Sequence, residues 1–205
     1  MSAGKLAAFA AAIATSVFAD TVDNPGSFQL TVNSGYIKIG SQRFDIDPGS
    51  APVFQGMVDG DGFVVIPASG IAFPDTTVDV PVLGTVTVRI EFPEDAAGTL
   101  NPLTGLADLT ITIRVRLLNR LLPAGCGIGP ISPVLTTDVS GDLTGVPYDQ
   151  NAGTALYVSN DFSVPRSSGC GAFAGAIDGF AGLPSPAPNN EIQLAAQFDP
   201  IFTGS

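Results

Sequence analysis

Along most of the chain, apolar and polar residues alternate with a period of two, and the 3.6-residue period of a helix is nearly absent. From Thr85 to Phe92, residues Val86, Val88, Ile90 and Phe92 share one face, while Thr85, Thr87, Arg89 and Glu91 share the other. Leu109 to Leu117 repeats the pattern, with Leu109, Ile111, Ile113, Val115 and Leu117 inward and Thr110, Thr112, Arg114 and Arg116 outward. These are half-buried strands with one wet face, and antiparallel pairing across the turn-rich stretch Ala96 to Leu106 is the simplest topology. Shorter alternating runs are expected to form a hairpin of Phe28–Val32 and Tyr36–Ile39 around Asn33-Ser34-Gly35. A second hairpin, Val53–Val58 with Phe63–Ile66, is expected around Asp59-Gly60-Asp61-Gly62, because Asp-Gly supplies favoured turn chemistry.

The second half is more broken. Strands are expected at Val134–Val139, Thr154–Val158 and Asp161–Val164, and a closing strand at Glu191–Phe198. Residues 166–190 between them are rich in glycine, alanine and proline, with Leu183 to Pro188 extended. The predicted fold is all-β, mostly an antiparallel β-sandwich with a glycine/proline-rich second half. Residues 20–205 form a single domain, with a sub-boundary at 122–129 as the alternative division.

Residues 1–19 read differently. Lys5 precedes an apolar run from Leu6 to Phe18, Val17 and Ala19 stand where a signal peptidase reads, and Asp20 follows. The run is short for a bilayer span and has the layout of a removable export signal, so the protein is expected to be secreted or in the cell envelope. In an oxidising compartment, the two cysteines, Cys126 and Cys170, each set between glycines, are expected to form a disulfide. No later apolar run is long enough for a transmembrane segment.

Composition narrows the chemistry. With eight basic and nineteen acidic residues the net charge is −11, which repels nucleic acid and anionic lipid. There is no histidine, which removes Ser-His-Asp and Cys-His catalysis and almost all zinc sites. No tryptophan is present to stack on sugars, and no glycine-rich loop has the form of a nucleotide site. Paired carboxylates for glycoside hydrolysis would come from Glu91, Glu94, Asp95 and Glu191, which nothing separates from surface acids. Asp59 and Asp61 are calcium candidates, but turn formation accounts for them, and Asp45 and Asp47 before Pro48-Gly49 stand likewise. No cofactor is expected. Arg89, Arg114 and Arg116 fall on polar faces of strands expected to pair. They form either an anion or partner patch or cross-strand ion pairs, for instance with Glu91.

Several stretches carry a resemblance: Gln55-Gly56-x-Val58-Asp59, Gly62-x-x-Val65-Ile66-Pro67, Gly98 to Gly105, Gly125-Cys126-x-Ile128-Gly129-Pro130, Phe162-x-Val164-Pro165, Ser168-Gly169-Cys170-Gly171 and Gly182 to Pro186. Together they resemble secreted, cysteine-bridged, β-rich envelope proteins of actinobacteria. The resemblance implies an exported β protein and carries no catalytic residue across. The functional expectation is a non-enzymatic structural or adhesive protein acting through its surface, with protein partners or self-association, since strand-rich domains offer edges and faces. The alternatives are a carrier holding a small molecule or lipid in an apolar pocket between sheets, and a carboxylate-dependent hydrolase.

Overall fold

The computed structural model describes residues 26–101, 106–138, 146–149 and 151–201, so the expected export signal lies outside the described residues, as do Pro102–Gly105 of the expected turn. The chain is all-β and antiparallel. Its main sheet, however, closes on itself as an eight-strand barrel and is not a layer of a sandwich. Closure follows from one element, the fourteen-residue β1 (Gly26–Ile39). On one side its residues from Ser27 to Thr31 pair with β15 (Glu191–Ile201), and on the other they pair with β3 (Val53–Val58). The circuit is completed by β14 (Thr154–Ser159), β12 (Val134–Thr137), β9 (Ala107–Thr110), β8 (Ala96–Leu100) and β4 (Phe63–Ile66).

The expected break at Asn33-Ser34-Gly35 is a bulge inside β1, not a hairpin turn. Register with β15 shifts between Val32 and Ser34, and pairing continues to Lys38↔Glu191. Gly35 makes this feasible: its φ is +130°, and a Cβ there would lie 2.0 Å from the Gln193 carbonyl oxygen. Similarly, part of the expected turn 96–106 is strand β8, paired with both β4 and β9. The β3–β4 hairpin forms as expected, with Asp59 Oδ1 accepting from the amides of Asp61 (3.0 Å) and Phe63 (2.8 Å).

The expected strand 109–117 keeps its inward phase, but it changes sheets at Ile111–Thr112. Leu109 belongs to the barrel, while β10 (Ile113–Leu118) joins a second sheet with β6 (Thr76–Val80), β7 (Gly84–Glu91) and β11 (Gly127–Ile131). The return path also crosses over, from β11 into β12 through Ser132-Pro133. As expected, β7 and β10 pair antiparallel. Asp161–Val164 is not a strand, although Val164 makes an isolated bridge to Ser185. Within the glycine-rich stretch that follows lies α1 (Ala174–Ala181), a helix the alternation gave no sign of. It ends at Gly182 in the left-handed region, and the Leu183 amide donates to the Asp178 carbonyl at 2.8 Å.

Inside the barrel, Phe28, Leu30, Phe54, Ile66, Leu109, Leu135, Leu194 and Phe198 fill the space, and a void of about 30 Å³ remains. An eight-strand barrel is just wide enough for side chains to fill, and such a void has no room for a lipid. The outer face carries Gln29, Thr31, Gln55, Asp108 and Thr110 beside the exposed Met57, Phe63 and Val134, and the apolar interior is the reverse of the polar lumen of a lipid-facing barrel. No helix among the described residues is long and apolar enough to cross a membrane.

Burial inside the barrel pushes the Tyr157 hydroxyl up from 10.0 to about 12. Because folding favours the neutral phenol, its contribution is fully present below pH ~10 and is lost as pH rises through about 12. In a spectrophotometric titration, the difference between wild type and Tyr157→Phe should therefore emerge only near pH 12, together with loss of the β circular dichroism. A Tyr157 phenolate forming near pH 10 in folded protein would contradict a filled barrel.

Candidate functional site

Beyond the bulge, β1 outruns the barrel wall. Ile37 and Ile39 continue the inward face, and β2 (Gln42–Asp45) folds back beside them with Phe44 opposite Ile37. The backbone is held there by the Ile46 amide, which donates to the Gly35 carbonyl at 2.9 Å. Opposite this extension stands the inner face of the second sheet, with Val88, Ile90 and Val115. At one end the gap between them is closed by Ile177, Phe180 and Ala181 of α1, leaving about 40 Å³. At the other end it widens into a cleft of about 330 Å³, walled also by Ile46, Pro52, Phe73 and Pro74. That volume lies in the range of small-molecule pockets, roughly 300–1,000 Å³. Phe92 packs edge-on to Phe54 (centroids 6.2 Å) and tilted against Phe73 (6.4 Å), joining the cleft wall to the barrel core.

The segment that leads into α1 at the narrow end is tethered by the disulfide. Cys126 and Cys170 are bonded, and beside them Gly127 and Ser168 exchange two backbone hydrogen bonds of 3.0 and 2.8 Å. The α1 segment is also tied to the β1–β2 hairpin. The Asn190 amide group donates to the carbonyls of Phe162 and Ser185, and its oxygen accepts from the Gly40 amide at 2.9 Å. Ser41 and Gln42 side chains both donate to the Phe180 carbonyl.

The mouth of the cleft is acidic. Asp45, Asp47 and Asp75 line it with Ser50, Thr76 and Thr77, and among the described residues neither lysine nor arginine lines it. Asp47 caps a short 3₁₀ turn, Pro48–Ser50, by accepting from the Gly49 amide at 2.9 Å. Arg43 donates to Asp45 at 2.8 Å and stacks over the Tyr36 ring at 3.7 Å. Arg89 holds Asp75 through Nε (2.9 Å) and Nη2 (2.7 Å), and those hydrogen bonds hold the Asp75 carboxyl below its ordinary value.

The expected arginine group does meet on the outer face of the second sheet. Arg116 stands opposite Arg89 and Arg114 opposite Glu91. Acids and carbonyls interleave with it: Arg89 binds Asp75, while Arg116 lies 4.0 Å from Glu91 and donates to the Ala124 carbonyl. The candidate catalytic acids also have structural partners. Glu94 accepts from Thr112 (3.1 Å), Asp95 from the Ala68 amide (2.8 Å), and Glu191 from Tyr36 (2.9 Å) and Gln193 (2.6 Å). The calcium candidates Asp59 and Asp61 sit in the β3–β4 turn, where Asp59 Oδ1 accepts backbone amides. Among the described residues, no three carboxylate or cysteine side chains gather as a metal site would need.

The cleft itself carried a faint signal in the sequence. Phe44 and Ile46 alternate with Arg43, Asp45 and Asp47, and Phe73 follows Ile71 in the same phase, short apolar runs beside the turn residues Pro48-Gly49 and Pro74-Asp75. No protein-family model matches the chain, and neither curated proteins nor solved structures gave a match.

Proposed function

We propose that this is an exported, non-enzymatic binding protein that holds a small, largely apolar molecule in the cleft between the β1–β2 extension and the second sheet. The cleft of about 330 Å³, with Phe44, Ile46, Phe73 and Ile90 only partly buried in its wall, carries the reading. Apolar side chains left half-covered beside an open cavity are what a ligand of matching character would bury, at roughly 25 cal/mol per Å² removed from water. Export fits the Cys126–Cys170 bridge, since structural disulfides persist in oxidising compartments.

Closure of the barrel weakens the motive for a structural or adhesive protein. Each of the eight barrel strands pairs on both sides, which leaves short strands such as β2 and β6 as open edges. A carrier filling the barrel itself is disfavoured by its packed interior. The hydrolase reading finds its four acids already hydrogen-bonded or ion-paired.

The test uses protein recovered from the medium of the native host, with its intact mass and ligand content read together. A mass for a chain starting at or near Asp20 and two hydrogens lighter than the dithiol is expected. The neutral dye N-phenyl-1-naphthylamine should brighten on binding, and Thr76→Trp, which fills the mouth, should weaken it at least tenfold. A retained Met1 in exported material would sink the cleavage claim, absence of the protein from medium and envelope would sink export, and dye affinity indifferent to Thr76→Trp would sink the cleft.

A further inference from the structure

We infer that the cleft is built for an amphipathic organic cation, with an apolar body between the two sheets and an ammonium-type group at the mouth. This rests on the cleft reading above and adds the charge of the occupant. Among the described residues, the charged side chains lining the cleft are all of one sign, Asp45, Asp47 and Asp75, with no lysine or arginine. The arginines that neutralise two of them are not cleft-lining residues. Arg43 is laid over Tyr36, and Arg89 stands on the outward face of β7.

A carboxylate offers about four acceptor sites over its two oxygens. Asp47 uses Oδ1 for the Gly49 amide, and Asp45 uses Oδ1 for Arg43, so each retains acceptor capacity toward a donor in the mouth. Phe44 and Phe73 add aromatic rings to the wall, and a cation within about 6 Å of such a ring is attracted by its quadrupole. An anionic ligand of the same shape would meet Asp47, the exposed face of the Arg43-paired Asp45, and a chain of net charge −11, whereas Asp75 is matched by Arg89. A fatty acid is therefore the wrong occupant for this apolar pocket, and a fatty or aryl-alkyl amine is the right one.

Calorimetry on the disulfide-bonded protein with n-octylammonium, n-octanol and n-octanoate tests it, since the three probes share one tail. At low ionic strength the ammonium should bind tightest and the carboxylate weakest, with a spread on the order of tenfold that narrows as salt is added. Asp47→Asn, which keeps a side-chain oxygen for the Gly49 amide, should lower the ammonium-to-octanol affinity ratio several-fold, and Asp45→Asn should do the same. Equal binding of the three probes, or tightest binding of octanoate, overturns the cation while leaving the cleft in place. If none binds, octanol included, the cleft reading fails and takes this inference with it.

Discussion

Replacing both bridge cysteines, as Cys126→Ala with Cys170→Ala, should lower the unfolding free energy by about 4 kcal/mol. The magnitude comes from the closed loop, because the cysteines are 44 residues apart and a cross-link of that span removes substantial entropy from the unfolded chain. Both cysteines are almost wholly buried, at 0% and 1% exposure, so a reductant added to the folded protein should act slowly, through local opening. The loss should also be felt beyond the bridge. The tethered segment carries α1, whose Ile177, Phe180 and Ala181 close the narrow end of the inter-sheet gap. Urea unfolding of the double variant beside wild type measures the effect, and a difference under about 1 kcal/mol would mean that the hydrogen bonds of Asn190 and Ser168 hold the segment unaided.

Much of the strand content was legible because burial on one face imposes a period of two. Leu109, Ile111, Ile113, Val115 and Leu117 are all buried, as their alternation requires. What the period cannot report is which sheet a buried face belongs to. Ile113 and Leu109 read as one strand, yet they lie in different sheets because the chain crosses over at Ile111–Thr112. Barrel closure escaped for a related reason. Whether an edge of β1 meets β3 depends on twist and register summed around the circuit, and neither is written in a local run. Asn33-Ser34-Gly35 has the chemistry of a turn, and the same positive-φ glycine serves a bulge equally well. The disulfide was legible from cysteine count and compartment. The cleft was legible only as scattered apolar residues, since its walls come from β1, β2, β6, β7, β10 and two irregular connections distant in sequence.

Phe28→Ala should cost about 3–5 kcal/mol, the range for deleting a buried phenylalanine without collapse of the site. Phe28 is 4% exposed, stacks on Phe198 with ring centroids 5.0 Å apart and planes at 19°, and faces Gly56 across the β1–β3 pairing. A Cβ at Gly56 would come within 2.9 Å of the Phe28 ring, so this ring occupies room that the glycine provides. In a closed barrel the walls are tied on both sides of β1 and cannot fall inward, so the deleted ring leaves a cavity. An open sandwich edge would relax and lose less. The neighbouring residue on the β3 outer face supplies the contrast: Met57 is 61% exposed, and Met57→Ala should change stability by no more than about 0.5 kcal/mol. Phe28→Ala and Phe198→Ala should be non-additive by about 0.5–1.5 kcal/mol, since the stacked pair is lost only once. Chemical denaturation of the single and double variants measures all of these. A Phe28→Ala cost near that of Met57→Ala would place β1 at an open edge and undo the barrel.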